Sequence, residues 1–326
     1  KTKMAANVDL EILARGTPGF SGADLENLVN EAALMAARSG AKEITLDLLE
    51  MAKDKIMMGA ERRSMIINEK EKKVTAYHEA GHALIAWLLP DTDPIHKVTI
   101  IPRGRALGLT MQLPTDDKYT HSKTYLKNTL CILYGGRIAE KIIFDEITTG
   151  AGNDIERASG LARKMVCEWG MSDDLGALTY GKKEEQIFLG RDIGQNRDFS
   201  EETAKQIDIS VRKFIDEAMN NVTNMLEEHR DILTQMAEEL LEKETIVLTD
   251  LERIVEELRP GKYTSRMQKA KKVKKKVSPQ PEESQAEESV EEQTEETSET
   301  VADEQPEAEI LEKAPGNEVD TSSEDD

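Results

Sequence analysis

The chain has 326 residues, enough for two or three domains, and its 33% charged and 4% aromatic residues are typical of a helical protein with wide solvated faces. The formal charge is -21, but residues 278–326 hold fifteen Glu, four Asp and one Lys and carry -18 of it, so the acidity belongs to a tail rather than to a binding surface. The two cysteines form no C-x-x-C motif and do not indicate a disulfide framework, which favours a reducing compartment. The sequence shows neither a secretory signal nor a run of about 18 apolar residues.

Residues 1–60 are predicted to form a small helical unit. Ser21 and Asp24 match a capping box that starts one helix, and Gly40 ends it. A second helix is predicted in ITLDLLEMAKDKIMMG. The charged segment 61–73 is predicted to connect this unit to the next domain. The first helix presents an apolar stripe at helical spacing, formed by Leu25, Leu28, Val29, Ala32 and Ala36.

The segment 74–90, VTAYHEAGHALIAWLLP, contains an H-E-x-x-H motif inside the longest apolar stretch of the chain. On a helix, His78 and His82 lie on one face and can bind the same metal ion, while Glu79 lies close enough to hold a water molecule at that ion. Zinc peptidases need this combination of two neutral imidazoles, an open coordination position and a carboxylate base. Gly81 in the interior of the helix predicts a close approach by another group.

After this helix, HKVTIIPRG and ALGLTMQLP are predicted to be two strands joined by a turn at residues 103–105, because their apolar residues alternate. A strand beside a peptidase metal commonly binds the substrate backbone by strand addition. A hairpin that only covers the metal helix fits the sequence equally well.

The rest of the folded chain is predicted to be helical. Gly135 and Gly136 indicate a break or a close helix contact, and a capping box is predicted at Thr249 and Glu252. The predicted helices lie at residues 122–144, from Asn153 onwards, and at about 200–228, 230–242 and 249–259, with a loop region at 172–199.

A catalytic zinc site needs a third protein ligand, for which Glu140 and Asp154 are the leading candidates. Asp154 follows two glycines at a helix start, where an Asp can equally cap the helix. Glu140 has a longer side chain. It suits a role as acceptor for the imidazole N–H of a ligating histidine, and it could equally be a surface residue. The remaining histidines, His96, His121 and His229, are scattered, and His229 is predicted to be exposed.

Residues 263–326 are predicted to be a disordered charged tail, because their composition offers too little apolar surface to offset chain entropy. The basic run MQKAKKVKKKV could contact anionic lipid or nucleic acid, but the acidic residues after it favour a solvated segment.

Several blocks resemble FtsH-type AAA+ zinc metalloproteases, in the same order. GTPGFSGADLENLVNEAALMAAR is similar to the helical AAA+ lid, and HEAGHAL, GRIAEKIIF, TTGAGNDIERASGLARKMV and EWGMSDDLGALTY are similar to the peptidase domain. The resemblance covers about residues 1–262. It implies that His78, His82 and Asp154 bind zinc, that Glu79 is the catalytic base, and that Gly22 and Ala23 lie in the lid turn near a nucleotide.

The resemblance implies a mainly α fold, with a helical AAA+ lid (1–60) and a mostly helical zinc metallopeptidase domain with a small β hairpin or sheet (61–262). The tail (263–326) lies outside the resemblance and is predicted from composition alone. The implied cofactors are one Zn²⁺ per chain, and ATP with Mg²⁺ only in a full-length protein, because no G-x-x-x-x-G-K-[ST] phosphate loop occurs. The implied partners are unfolded or membrane-extracted proteins, a homo-hexamer, and a membrane reached through an absent N-terminal segment, at the cytoplasmic face of the bacterial inner membrane. No nucleic acid is expected.

Two other functions compete with a zinc endopeptidase. A non-catalytic helical assembly or regulatory module with a vestigial metal site is the chief alternative, but a structural zinc has no use for Glu79. An ATPase in its own right lacks its phosphate loop.

Overall fold

Helices dominate the described part of the chain, which confirms the mainly α fold. The structure is a computed structural model and describes residues 2–62, 65, 67–104, 107–113, 120–181 and 199–263. Most of the predicted loop and nearly all of the predicted tail lie outside these residues. The elements are α1 (Leu10–Arg15), α2 (Gly22–Ser39), α3 (Leu46–Met58), α4 (Glu69–Leu88), β1 (Ile95–Thr99), β2 (Leu109–Gln112), α5 (Lys123–Phe144), a 3₁₀ turn (Thr149–Ala151), α6 (Gly152–Cys167), α7 (Glu201–Glu228), α8 (Arg230–Lys243), β3 (Thr245–Val247) and α9 (Leu248–Leu258).

The N-terminal helices α1 to α3 enclose a small apolar core of their own. The predicted capping box is present, since the Ser21 N–H donates to Asp24 Oδ2 at 2.8 Å and the Asp24 N–H donates to Ser21 Oγ at 3.3 Å. Gly40 ends α2 in the left-handed conformation, with φ of 72°. Leu25 is 40% exposed and lies outside the core, contrary to the predicted stripe. The core residues are Leu13, Leu28, Ala32, Ala36, Ile44, Leu49 and Ala52.

Helix α4 runs through the centre of the second core and packs against α5, α8 and β1. It begins at Glu69, where the Asn68 side chain accepts a hydrogen bond from the Lys70 N–H, so the predicted connector 61–73 was too long. Gly81 is the crossing point with α5, because a Cβ there would lie 2.4 Å from the carbonyl oxygen of Gly135. The predicted close approach at these glycines is confirmed. Within the described residues, no helix has both the length and the apolar character to cross a membrane.

The two predicted strands form an antiparallel pair, and a third strand joins them in the order β2-β1-β3. Strand β3 was not predicted. It has three residues, too few to show an alternating pattern, and it forms because Glu244 turns the chain at the end of α8 with φ of 60°. The Glu244 carbonyl then accepts a hydrogen bond from the Ile100 N–H at 3.0 Å.

Two further predictions near the C-terminal helices are wrong. Helix α9 begins at Leu248 and is capped by the Asp250 carboxylate, which accepts a hydrogen bond from the Val247 N–H at 3.1 Å, so Thr249 and Glu252 form no capping box. His229 is buried rather than exposed. It lies at the junction of α7 and α8, where its Nδ1 donates to the Met225 carbonyl at 2.8 Å and its Nε2 contacts the Tyr263 hydroxyl.

Helix α3 contacts strand β1 through a buried cluster of charges. Lys97 Nζ lies 2.7 Å and 2.6 Å from the two carboxylate oxygens of Asp54, and His96 Nε2 lies 2.9 Å from Glu50 Oε2. Arg103 adds an ion pair with Asp54 at 3.4 Å. The N-terminal helices are therefore joined to the sheet that borders the metal helix.

Candidate metal centre

His78 and His82 face one another from successive turns of α4. Their Nε2 atoms are 3.0 Å apart, as expected for side chains four residues apart on one helical face. The two side chains are 12% and 10% exposed, so both are nearly buried but remain open to one side.

Both imidazoles are oriented through their other ring nitrogen. His78 Nδ1 lies 2.6 Å from Glu140 Oε1, and His82 Nδ1 lies 2.6 Å from the carbonyl oxygen of Ile132. A carbonyl or an ionised carboxylate only accepts, so each Nδ1 carries a proton, and in the neutral form of each imidazole Nε2 presents a lone pair. Two lone pairs 3.0 Å apart repel one another unless a cation lies between them.

Asp154 completes a group of three donors. It lies in the first turn of α6, and its Oδ2 is 3.3 Å from His78 Nε2 and 3.4 Å from His82 Nε2. Four ligands at tetrahedral angles and ~2.0–2.1 Å from zinc are separated by ~3.3 Å. The three donor separations and the N, N, O donor chemistry therefore fit a tetrahedral zinc ion with one corner left open.

The pKa shifts show that this group favours positive charge between the donors. Burial alone lowers the pKa of His78, but its contacts with Asp154 and Glu140 outweigh burial and raise the pKa to about 10. Burial opposes ionisation of Asp154 as well, yet hydrogen bonds with His78 and His82 hold its pKa below the ordinary value. Glu140 behaves likewise because His78 and Thr148 bind its two oxygens, so its pKa is also lowered. Either a proton or a metal ion can supply the positive charge that these donor atoms favour.

Glu79 projects from α4 beside this group and is buried. Burial raises the pKa of its carboxyl, although the nearby imidazoles His82 and His78 act in the opposite direction. Thr110 Oγ1 on β2 donates a hydrogen bond to Glu79 Oε2 at 2.9 Å. A raised carboxyl pKa at a metal-binding group is typical of a residue that accepts and returns a proton.

The site lies in a cleft of about 1210 Å³. Its lining residues include residues of α4, β2, α5 and α6. This volume is larger than that of typical small-molecule pockets, which is about 300–1,000 Å³.

Glycines allow the ring of His78 and the carboxylate of Glu79 to occupy these positions. A Cβ at Gly136 would lie 2.5 Å from His78 Cε1, and a Cβ at Gly108 would lie 2.7 Å from Glu79 Oε1. Side chains at either place would displace the neighbouring group.

The structure brings together four of the predicted site residues, His78, Glu79, His82 and Asp154, and places Glu140 behind His78. Gly22 and Ala23 are exposed in the first turn of α2. Sequence reasoning did not identify the contacts of Thr110 and of the Ile132 carbonyl. The carbonyl has no signal in the sequence, whereas Gly108 and Thr110 are themselves small residues in a predicted strand and are compatible with a close approach to a neighbouring helix.

Two family models and several curated proteins match the chain. The model of peptidase family M41 matches residues 65–254, and a model of the AAA+ lid domain matches residues 7–51. The chain is 61% identical over 256 residues to the ATP-dependent zinc metalloprotease FtsH of Acidobacterium capsulatum. The aligned region covers 78% of this chain and 40% of that protein. It is 56% identical over 246 residues to the protein of the same name from Magnetococcus marinus, which covers 76% of this chain and 37% of that protein. It is also 56% identical over 257 residues to FtsH 4 of Sorangium cellulosum, which covers 78% of this chain and 40% of that protein.

The chain thus spans about 40% of the length of the curated relatives that it matches.

Proposed function

Because the chain belongs to peptidase family M41, we propose that it is the lid and zinc endopeptidase module of a membrane-associated, ATP-dependent protease that degrades unfolded or membrane-extracted proteins. The observation that carries this proposal is the arrangement of His78, His82 and Asp154, whose donor atoms converge beside the buried carboxylate of Glu79. A purely structural zinc site would have no use for the neighbouring base.

His78, His82 and Asp154 would hold zinc, and bound zinc supplies a Lewis acid that polarises a scissile carbonyl and lowers the pKa of a water molecule. Glu79 takes the proton of the attacking water and returns a proton to the amine that leaves. Glu140 and the Ile132 carbonyl keep the two imidazoles in the ligating tautomer.

Strand β2 offers a place for the substrate backbone. It lies at the edge of the sheet among the described strands, and it borders the cleft next to Glu79. An extended peptide could add to this edge through main-chain hydrogen bonds, which bind unfolded chains with little regard to sequence.

The larger organisation is part of the same proposal. Residues 1–60 are assigned to the AAA+ lid, 61–262 to the peptidase domain and 263–326 to a charged tail, and the separate apolar cores support the first boundary. Gly22 and Ala23 would approach nucleotide only within a complete ATPase. The names and bacterial sources of the relatives support an assembled ATP-dependent protease, which we take to be a homo-hexamer at the cytoplasmic face of the inner membrane, attached through a segment outside this sequence.

Hydrolysis of unfolded casein by the purified, zinc-loaded chain tests the endopeptidase proposal. We expect cleavage that stops with a chelator and returns when zinc is restored. Zinc binding without any cleavage would instead favour the alternative of a helical assembly module with a vestigial metal site. Cleavage that persists in a chain shown to contain no zinc would contradict the proposal that the chain is a metallopeptidase.

A further inference from the structure

The residue that stands out next to the candidate metal centre is Thr110, on strand β2. Its hydroxyl oxygen lies 2.9 Å from Glu79 Oε2 and 3.1 Å from the backbone carbonyl oxygen of Glu79. The pair is separated by 31 residues in the chain, so only the packing of β2 against α4 brings them together. Gly108, two residues earlier, lets the strand approach the Glu79 side chain closely.

The Thr110 hydroxyl has one proton and can donate it to only one of these two acceptors at a time. The carboxylate is the stronger acceptor because it is charged, whereas the backbone carbonyl lies inside a helix. Thr110 therefore donates to Oε2 when Glu79 is ionised. Thr110 therefore holds one carboxylate oxygen, while the other, Oε1, lies beside Gly108 and has no hydrogen bond to any residue in the described part of the chain.

Glu79 needs such a restraint. A glutamate has three side-chain torsions, and its terminal torsion is broad, so burial alone does not define the direction of its oxygens. A base that is misplaced by about 1 Å loses on the order of 100-fold in rate.

We propose that Thr110 is a positioning residue for the base Glu79: its hydroxyl holds Oε2 so that Oε1 faces the attacking water. This inference rests on the proposed endopeptidase function and deepens it. The competing explanation is that Thr110 only fills space between β2 and α4, in which case its methyl group matters and its hydroxyl does not.

Two substitutions separate these roles in the full chain. Thr110→Val keeps the shape and removes the hydroxyl, while Thr110→Ser keeps the hydroxyl and removes the methyl group. Thr223→Val is the matched control, because the Thr223 hydroxyl donates to the Met219 carbonyl of its own helix at 2.8 Å and lies on α7. All variants would be loaded with zinc, and zinc content and thermal unfolding measured before peptide hydrolysis is followed.

For Thr110→Val, we expect a 10- to 100-fold lower kcat with KM within about 3-fold and zinc content unchanged, because the base is misdirected while the metal ligands are untouched. Thr110→Ser should recover kcat to within about 3-fold of the wild type, and Thr223→Val should behave as the wild type. A crystal structure of the zinc-loaded Thr110→Val protein should show the Glu79 carboxylate in more than one orientation.

An unchanged kcat in Thr110→Val, an equal loss in both Thr110 variants, or a loss confined to KM would overturn the positioning role while leaving the endopeptidase intact. A zinc-loaded wild-type chain without cleavage would overturn the proposed function and, with it, the role of Thr110 in that reaction.

Discussion

Glu140 Oε1 accepts a hydrogen bond from His78 Nδ1 at 2.6 Å, which places this carboxylate on the side of the imidazole opposite to the converging donors. Its other oxygen accepts from the Thr148 N–H at 3.2 Å, so both oxygens of Glu140 have partners away from the metal centre. Asp154, in contrast, directs Oδ2 at both Nε2 atoms. The two carboxylates therefore occupy different positions: Asp154 faces both Nε2 atoms, whereas Glu140 faces only the Nδ1 side of His78.

Asp154→Asn should lose most of the zinc affinity, because it replaces an anionic ligand with a neutral amide. Glu140→Gln should weaken zinc binding by roughly 10- to 100-fold at most, since it changes only the orientation and basicity of His78. Competition with a calibrated chelator measures both affinities. A larger loss in Glu140→Gln than in Asp154→Asn would mean that Glu140 is the ligand and that Asp154 only supports its helix.

Glu79→Gln should reduce hydrolysis of casein by about 100- to 10,000-fold while the zinc content stays that of the wild type, because the base is lost and the ligands remain. Metal analysis and rate measurements on the same preparation test this. The wild type loaded in parallel is the control, and substantial cleavage by a zinc-loaded Glu79→Gln chain would refute the assigned role of Glu79.

Gly136→Ala should weaken zinc binding by at least about 10-fold, which is the lower end of the loss typical for changes to residues that orient a ligand. The added Cβ would lie 2.5–2.6 Å from three atoms of the His78 ring and would push the ring away from Glu140. Gly160→Ala on α6 is the control, because nothing lies within 4 Å of its Cβ. This control should raise the free energy of unfolding by up to about 1 kcal/mol, as Ala is the better helix former. Equal zinc affinity in both variants would show that the His78 ring tolerates the contact.

Glu50 predicts a pH dependence of stability where α3 meets β1. Burial opposes ionisation of this carboxyl, but its bonds with His96 and Lys53 lower its pKa to about 2. Because the pKa is lower in the folded state than in the unfolded state, the ionised carboxylate stabilises the fold above about pH 4.5, and this contribution is lost as the pH falls towards about 2.

Glu50→Gln should therefore be less stable than the wild type at pH 7, by about 1–3 kcal/mol after allowing for solvent screening. The difference should shrink below about pH 5, down to the lowest pH at which both proteins unfold cooperatively. Urea unfolding at several pH values measures it. Glu43→Gln is the control, since Glu43 pairs with Lys3, whose side chain is 76% exposed. A pH-independent difference for Glu50→Gln would contradict the ionic role.

Mg-ATP should not change the rate at which this chain cleaves an unfolded substrate. The sequence has no phosphate loop, and Gly22 and Ala23 are exposed at the start of α2. Casein hydrolysis with Mg-ATP or Mg-ADP at equal total magnesium tests this. ADP is the control, because it also chelates metal ions. A rate that rises only with ATP would mean that the N-terminal helices bind nucleotide by themselves.

The sequence by itself determined the features that depend on local geometry. His78 and His82 are four residues apart on an apolar helix, and helical geometry alone places them on one face with Glu79 close by. The capping box at Ser21 and the close contact at Gly81 follow from equally local rules about backbone N–H groups and the space a Cβ needs.

Only the tertiary structure decided the features that depend on distant parts of the chain. It brought Asp154 to the two imidazoles, paired Thr110 with Glu79 across 31 residues, buried His229 and added β3 to the sheet. The physical reason is common to all of these features: a side chain's partners across the fold are set by how helices and strands pack, and neither periodicity nor residue type within one segment carries that information.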